Sequence, residues 1–347
     1  MRYSGSAAWE EISHSPDSTC LGKSLPGITL PMRTVEDIIA LLGGPDGVTE
    51  LQGAWRERSA TLGRRVRIDL GADDLEGTAV DITEEGHLVV ETLEGERRTV
   101  AVGVASCGPF VINMGLVELA APNICGGMAG KARGLPNDWP TALLEAPLRA
   151  AFPNVRVEND GVGALEAERR WGALQGMDHC AYVTWSTGIG MGLCVDGHIL
   201  RGKNGNAGHA GHTFVSDNDD ALCGCGSIGD VEALVAGNAI PRRFGSLGYT
   251  DAAMLFVASG AGDARAAVII DDLCRVMGRT LFNMIATLDL QRISIGGSVF
   301  WHHRDLLLPK VMGHVQGKLG ALTHGVEIVP AGLGERVGDY AALALVA

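Results

Sequence analysis

His212, Cys223, Cys225 and Asp230 crowd four metal-type ligands into one short stretch of this chain, residues 206–232, which reads NAGHAGHTFVSDNDDALCGCGSIGDVE. Zinc accepts imidazole nitrogen, thiolate sulfur and carboxylate oxygen, and structural zinc sites are closed, four-coordinate ones. Gly224, Gly226 and Gly229 let the backbone fold back so that such closely spaced ligands can face one ion. A chain that meets this constraint must bring a glycine turn and a histidine together in a folded body.

The body is large enough. At 347 residues with 46% hydrophobic content, two cores are expected rather than one. The 49 glycines follow no collagen-like period, so they imply many tight turns. A net charge of −13 argues against nucleic acid or an anionic membrane as the main partner. No apolar run approaches a membrane span, and Glu10 and Glu11 interrupt what would be a secretory leader. Eight irregularly spaced cysteines form no disulfide framework, so a reduced cytoplasm fits best.

Residues 1–30 read as loop, followed by short helices at 34–42 and about 49–60. From Arg65 to Gly103 the pattern is RVRIDL, GTAVDI, HLVVET and RRTVAV, short strands separated by glycine turns, a small antiparallel barrel or meander. Helices are predicted over 139–152, 164–172, 231–235, 251–257, 263–288 and about 340–346. Strands are predicted at 155–158, 181–185, 293–295 and 326–329, and His302, His303, His314 and His324 as surface residues.

Two spots invite chemistry on their own terms. Asn159 and Asp160 end a strand, where α/β folds place working residues, and transfer of a phosphoryl group to an alcohol needs a carboxylate to take the hydroxyl proton. Residues 186–192, STGIGMG, form a strand-to-glycine turn whose amides and Thr187 hydroxyl suit phosphate.

The order of these motifs resembles the ROK family of repressors and sugar kinases over about residues 101–347. The family pattern GExGH, then CxCGxxGCxE, stands here as GHAGH and CGCGSIGDVE. His209 replaces the usual sugar-binding Glu, and Asp230 replaces the third zinc Cys. The resemblance implies an actin-like, two-lobed α/β fold of the ribonuclease H-like type with a β-rich N-terminal segment. It implies Asp160 as general base, and Asn123, Asn159, His209, His212 and Glu232 on the sugar. It places Thr187, Gly188, Gly190, Gly296 and Gly297 on ATP, with Mg2+ beside it, and a structural zinc on His212, Cys223, Cys225 and Asp230. It further implies a homodimer. The family's DxGGT phosphate hairpin has its nearest match at Asp69-Leu70-Gly71-Ala72-Asp73, with Asp69 and Gly71 on ATP but Asp where Thr belongs. The same residues, with the preceding WRERSATLG, resemble the C-terminal SH3-like domain of biotin–protein ligases. Both alignments stay open. The domain boundaries expected are 1–64, a β-rich unit at 65–103, one lobe at 104–178, a second with the zinc motif at 179–334, and a closing helix at 335–347. The function that follows is an ATP-dependent hexose kinase; a non-catalytic sugar sensor or a binding module with a ligase-like cap is the alternative.

Overall fold

The computed structural model describes Gly63 and residues 65–69, 74–82, 88–99, 102–121, 125, 140–151, 155–216 and 221–346. The helices expected at 34–42 and 49–60 lie outside them, as do Gly71 and Asn123. The chain divides into two compact units: residues 1–102, 146–156 and 346–347, and residues 103–145 and 157–345.

In the first unit β1 (Arg65–Asp69), β2 (Asp74–Ile82), β3 (Leu88–Thr92) and β4 (Arg97–Thr99) form an antiparallel meander in that order. Asp69 stands opposite Asp74, so β1 and β2 make a tight hairpin, and β2 carries a register shift between Ala79 and Asp81. Ala79 and Val90 are its buried apolar side chains among the described residues. Of the strand expected from RRTVAV, β4 covers Arg97–Thr99, residues 100–101 lie outside the described ones, and β5 (Val102–Ser106) pairs elsewhere.

The second unit holds the chemistry. Here β6 (Phe110–Asn113), β7 (Leu116–Leu119) and β8 (Ala142–Leu143) form a three-stranded meander. The helix expected over 139–152 is shorter than predicted. Ala142 and Leu143 pair with β7, and α1, which spans only Glu145–Ala151, falls in the first unit from Ala146 on. β9 (Val155–Asn159) pairs with β5 and runs directly into α2 (Asp160–Trp171). This helix starts four residues before the predicted position, because Asn159 caps it through a bond from the Gly161 amide.

β10 (Cys180–Trp185), β11 (Ile189–Val195) and β12 (His198–Ile199) precede α3 (Val231–Val235), α4 (Ala239–Phe244), α5 (Ala252–Gly260) and α6 (Ala264–Leu288). β13 (Arg292–Gly296), α7 (Ser298–Val315), α8 (Gly320–Thr323), β14 (Glu327–Pro330) and α9 (Val337–Ala344) complete the chain. The five-stranded sheet runs β12-β11-β10-β13-β14, with β10, β13 and β14 parallel. Alternation along β10 serves both faces: Ala181, Val183 and Trp185 join the core under α6, while Cys180 and Tyr182 join the core with Leu165 and Ala341.

The sequence reading misses α7. Its HHRD block and Pro309 break the apolar period, and His303 is non-helical within it, yet packing against α6 holds it. Gly278 permits that approach, since a β-carbon there would meet His314 Cβ at 2.4 Å. His303 and His314 are accordingly half-buried rather than on the surface, His303 stacked on Phe256 at 3.7 Å.

Candidate active site and metal centre

The pocket floor is built from the C-terminal ends of neighbouring strands. Asp160 is the first residue of α2, and Gly297 and Ser298 open α7 directly after β13. Asp160, Tyr182, Thr184, Gly297, Ser298, Trp301 and Glu335 are among the residues lining a pocket of about 240 Å³. The Asp160 carboxylate keeps a face open to solvent but is crowded by protein, and this burial pushes its pKa up despite bonds from the Gly161 amide and its own. Cys107 lies near enough to feel its charge; burial first, then Asp160, pushes that thiol up to about 11.

The two glycine turns sit side by side, because Thr184 and Gly296 are paired across β10 and β13. Ser186 Oγ and Ser298 Oγ are 2.9 Å apart, joining the turns. Thr187 is exposed, and the turn spans only Ser186–Gly188; Gly190 already belongs to β11, opposite Thr184. The glycines at 296 and 297 answer first to protein neighbours. A β-carbon on Gly296 would meet the Tyr182 hydroxyl at 2.6 Å, and one on Gly297 (φ 88°) would meet the Trp185 backbone at 2.6 Å. The first turn of α7 beside them offers amides with no partner inside the helix.

Beside Asp160 lies a second polar group. Asn159 is buried, its Oδ1 accepting from the Gly161 amide at 2.9 Å. His209 Nε2 and Asn159 Nδ2 lie 2.8 and 3.2 Å from where a Gly108 β-carbon would stand, so a side chain there would press on both. The His209 Nδ1 bonds the Asn206 carbonyl at 3.1 Å, which leaves Nε2 as an acceptor in the neutral ring. Burial, then the neighbouring His212, holds its pKa below the ordinary value. Asn206, which sequence reasoning missed, pairs both ends of its amide with the Phe110 main chain at 2.7 Å each; a contact across 96 residues leaves no local signal.

The four expected metal ligands do converge. One ligand atom each from His212, Cys223, Cys225 and Asp230 lie within 4.8 Å of one another. His212 Nδ1 is 3.0 Å from Asp230 Oδ2 and 3.9 Å from Cys223 Sγ, and Cys225 Sγ is 3.5 Å from Asp230 Oδ2. Bonds of about 2.0–2.3 Å in a tetrahedron separate ligands by roughly 3.3–3.8 Å, so the donor set fits zinc with small adjustment. Asp230 divides its work: Oδ1 caps α3 through the Ala233 amide at 2.7 Å, and Oδ2 faces the cluster. Burial pushes Asp230 up, but the bonds from His212, Ala233 and Cys223 outweigh it and hold its pKa below the carboxylate range. The same bond raises His212 to about 9, and burial pushes the Cys223 thiol up. Glu232, in the first turn of α3, bridges the halves: Oε2 accepts from the Ile189 amide at 3.0 Å and Oε1 lies 3.7 Å from Cys223 Sγ.

This architecture has known relatives. The profile of the ROK family matches residues 65–347, a span that takes in β1–β4. A glucokinase of Aeropyrum pernix is 30% identical over 269 residues, covering 72% of this chain and 79% of its own. An N-acetylmannosamine kinase of Salmonella newport is 32% identical over 261 residues, covering 73% and 81%. Among solved structures, a ROK hexokinase from Thermus thermophilus superposes with a TM-score of 0.57 at 30% identity, covering 72% of this chain and 79% of its own. The fold is therefore of the actin-like α/β ATPase class. The chain belongs to the ROK family.

Proposed function

We propose that this chain is an ATP-dependent sugar kinase that transfers a phosphoryl group to a hydroxyl of a hexose or hexose derivative. The observation that carries the reading is Asp160, whose carboxylate opens into the same pocket as the Gly297–Ser298 start of α7. The kinship to sugar kinases at 30–32% identity supports it. Bound ATP with magnesium supplies the phosphoryl group and spreads its charge. Asp160 takes the hydroxyl proton, and its raised pKa brings it closer to a useful base. The Ser186–Gly188 turn and the first amides of α7 hold phosphate oxygens, as helix starts do. Asn159, His209 and Glu232 orient the acceptor sugar. His212, Cys223, Cys225 and Asp230 would hold a structural zinc, which would fix the His212 ring and leave its second nitrogen to bond the sugar.

The test is ADP release from magnesium–ATP across a panel of hexoses and N-acetylhexosamines. Sugar-dependent release is expected with at least one member and abolished by Asp160→Asn. No release with any member overturns the reading.

A further inference from the structure

Arg201 belongs to no motif and is not part of the pocket lining described above, yet its side chain and its main chain bond to segments that carry site residues. Its Nε donates to Glu158 Oε1 at 2.6 Å and its Nη2 to Glu166 Oε1 at 2.8 Å. Glu158 is the residue before Asn159 on β9, and Glu166 lies on α2, the helix that Asp160 opens. Both carboxylates are buried. One guanidinium therefore grips the strand and the helix on either side of the Asn159–Asp160 junction, in the forked geometry that arginine offers and lysine does not.

The main chain of Arg201 holds a second segment. Its carbonyl accepts from the Ala207 amide at 3.0 Å, closing the turn that leads into Asn206. Asn206 in turn holds Phe110 through both ends of its amide, and its carbonyl accepts from His209. His212 follows three residues later, with its amide bonded to the His209 carbonyl at 3.1 Å.

We propose that Arg201 is a positioning residue for phosphoryl transfer, tying the junction that carries Asn159 and Asp160 to the segment that carries His209 and His212. The inference rests on the kinase reading above, in which the first pair meets the reacting hydroxyl and the second holds the sugar. A base must stand within hydrogen-bond reach of the proton it removes. Without Arg201 the strand and the helix lose the side chain that bonds to both, and the junction is free to shift against the sugar.

The experiment is steady-state kinetics of Arg201→Met, Arg201→Lys and the triple variant Arg201→Met/Glu158→Gln/Glu166→Gln, with thermal melts of each. Arg201→Met is expected to lower kcat/KM for sugar about 100-fold while KM for magnesium–ATP stays within about twofold. Arg201→Lys, which keeps the charge but loses the fork, is expected to recover only part of that. Removing one partner of an ion pair whose carboxylates are buried also destabilises, and the triple variant answers this by removing both carboxylate charges as well. It is expected to melt like the parent and still turn over slowly. A triple variant with parental kcat/KM overturns the positioning role, since relief of charge alone would then have been enough. Parental kcat/KM in Arg201→Met overturns it as well. If the parent turns over no sugar, the kinase reading falls and this role falls with it, an outcome visible before any variant is made.

Discussion

The strand-end turns and the metal loop are both glycine-rich, but they are held in shape in opposite ways. At the strand ends the glycines are wedged against protein, Gly296 against Tyr182 and Gly297 against the Trp185 backbone. In the metal loop, β-carbons on Gly224 and Gly226 would meet nothing within 4 Å. What organises that loop is the polar cluster of His212, Cys223, Cys225 and Asp230. One half of the site is shaped by the core and stands without a ligand. The other draws its shape from the donors an ion would join.

The largest effect expected falls on the core-built half. Asp160→Asn keeps the cap geometry and sugar contacts but cannot take a proton, so kcat should fall about 10²–10⁴-fold with sugar binding retained. The same variant should melt slightly higher. The raised pKa means the folded chain holds the Asp160 proton more tightly than the unfolded chain. Stability from this group is therefore lost as pH rises from the unfolded value through the folded one, and the amide escapes that loss. Parallel kinetics and melts at neutral pH check both. A variant that turns over like the parent would sink the assignment.

Next in size is an effect confined to the ligand-built half. Cys223→Ser, or treatment with a chelator, should release one zinc per chain and weaken sugar binding about 10- to 100-fold. Nucleotide affinity should not change, because the strand-end turns do not depend on the ion. Metal analysis together with separate sugar and nucleotide titrations decides it. Equal losses on both ligands would mean the two halves are one mechanical unit after all.

A pair of glycine substitutions tests the contrast directly. Gly297→Ala places a side chain at φ 88° and against the Trp185 backbone at 2.6 Å, and should cost about 1–3 kcal/mol of stability. Gly224→Ala meets nothing within 4 Å and should stay within about 0.5 kcal/mol of the parent. Denaturant melts of the two proteins suffice; similar values would dissolve the distinction.

The same contrast explains what could be read from sequence. The metal ligands were legible because their chemistry is local: Cys223, Cys225 and Asp230 sit within one turn and one cap. Asn159 and Asp160 were legible as a strand end, although the helix start at Asp160 was placed too late because the cap outranks the apolar period. The long α6 followed its period, and Asp263, read from sequence as its first residue, stands one place before it as the cap. What escaped was non-local. The helix α7 exists by packing on α6 in spite of Pro309, and the glycines at 296 and 297 are fixed by β10 more than by any ligand. Arg201 and Asn206 act on partners 35 to 96 residues away, and no spacing rule reaches that far.

The smallest effect expected concerns the connection between β1 and β2, residues 70–73. Asp69 and Asp74 stand opposite each other at its base. In the family this hairpin is DxGGT; here the sequence is Asp69-Leu70-Gly71-Ala72-Asp73, followed by Asp74. The residues from 70 to 73 lie outside the described ones, and what bears on phosphate there is the charge they carry. If this turn takes phosphate, Asp73 brings a carboxylate where a threonine hydroxyl would donate. Two like charges about 4 Å apart repel by roughly 4 kcal/mol at an effective dielectric near 20. Water and magnesium absorb most of that, and a remainder of about 1.4 kcal/mol costs tenfold in affinity. Calorimetric titration with a magnesium–ATP analogue should therefore give weak binding to the parent, tightened about tenfold by Asp73→Thr. Low-micromolar binding by the parent would mean that the turn already serves phosphate as it stands. Equal affinity in parent and Asp73→Thr would mean that the turn never meets the nucleotide, and that the strand-end turns hold it alone.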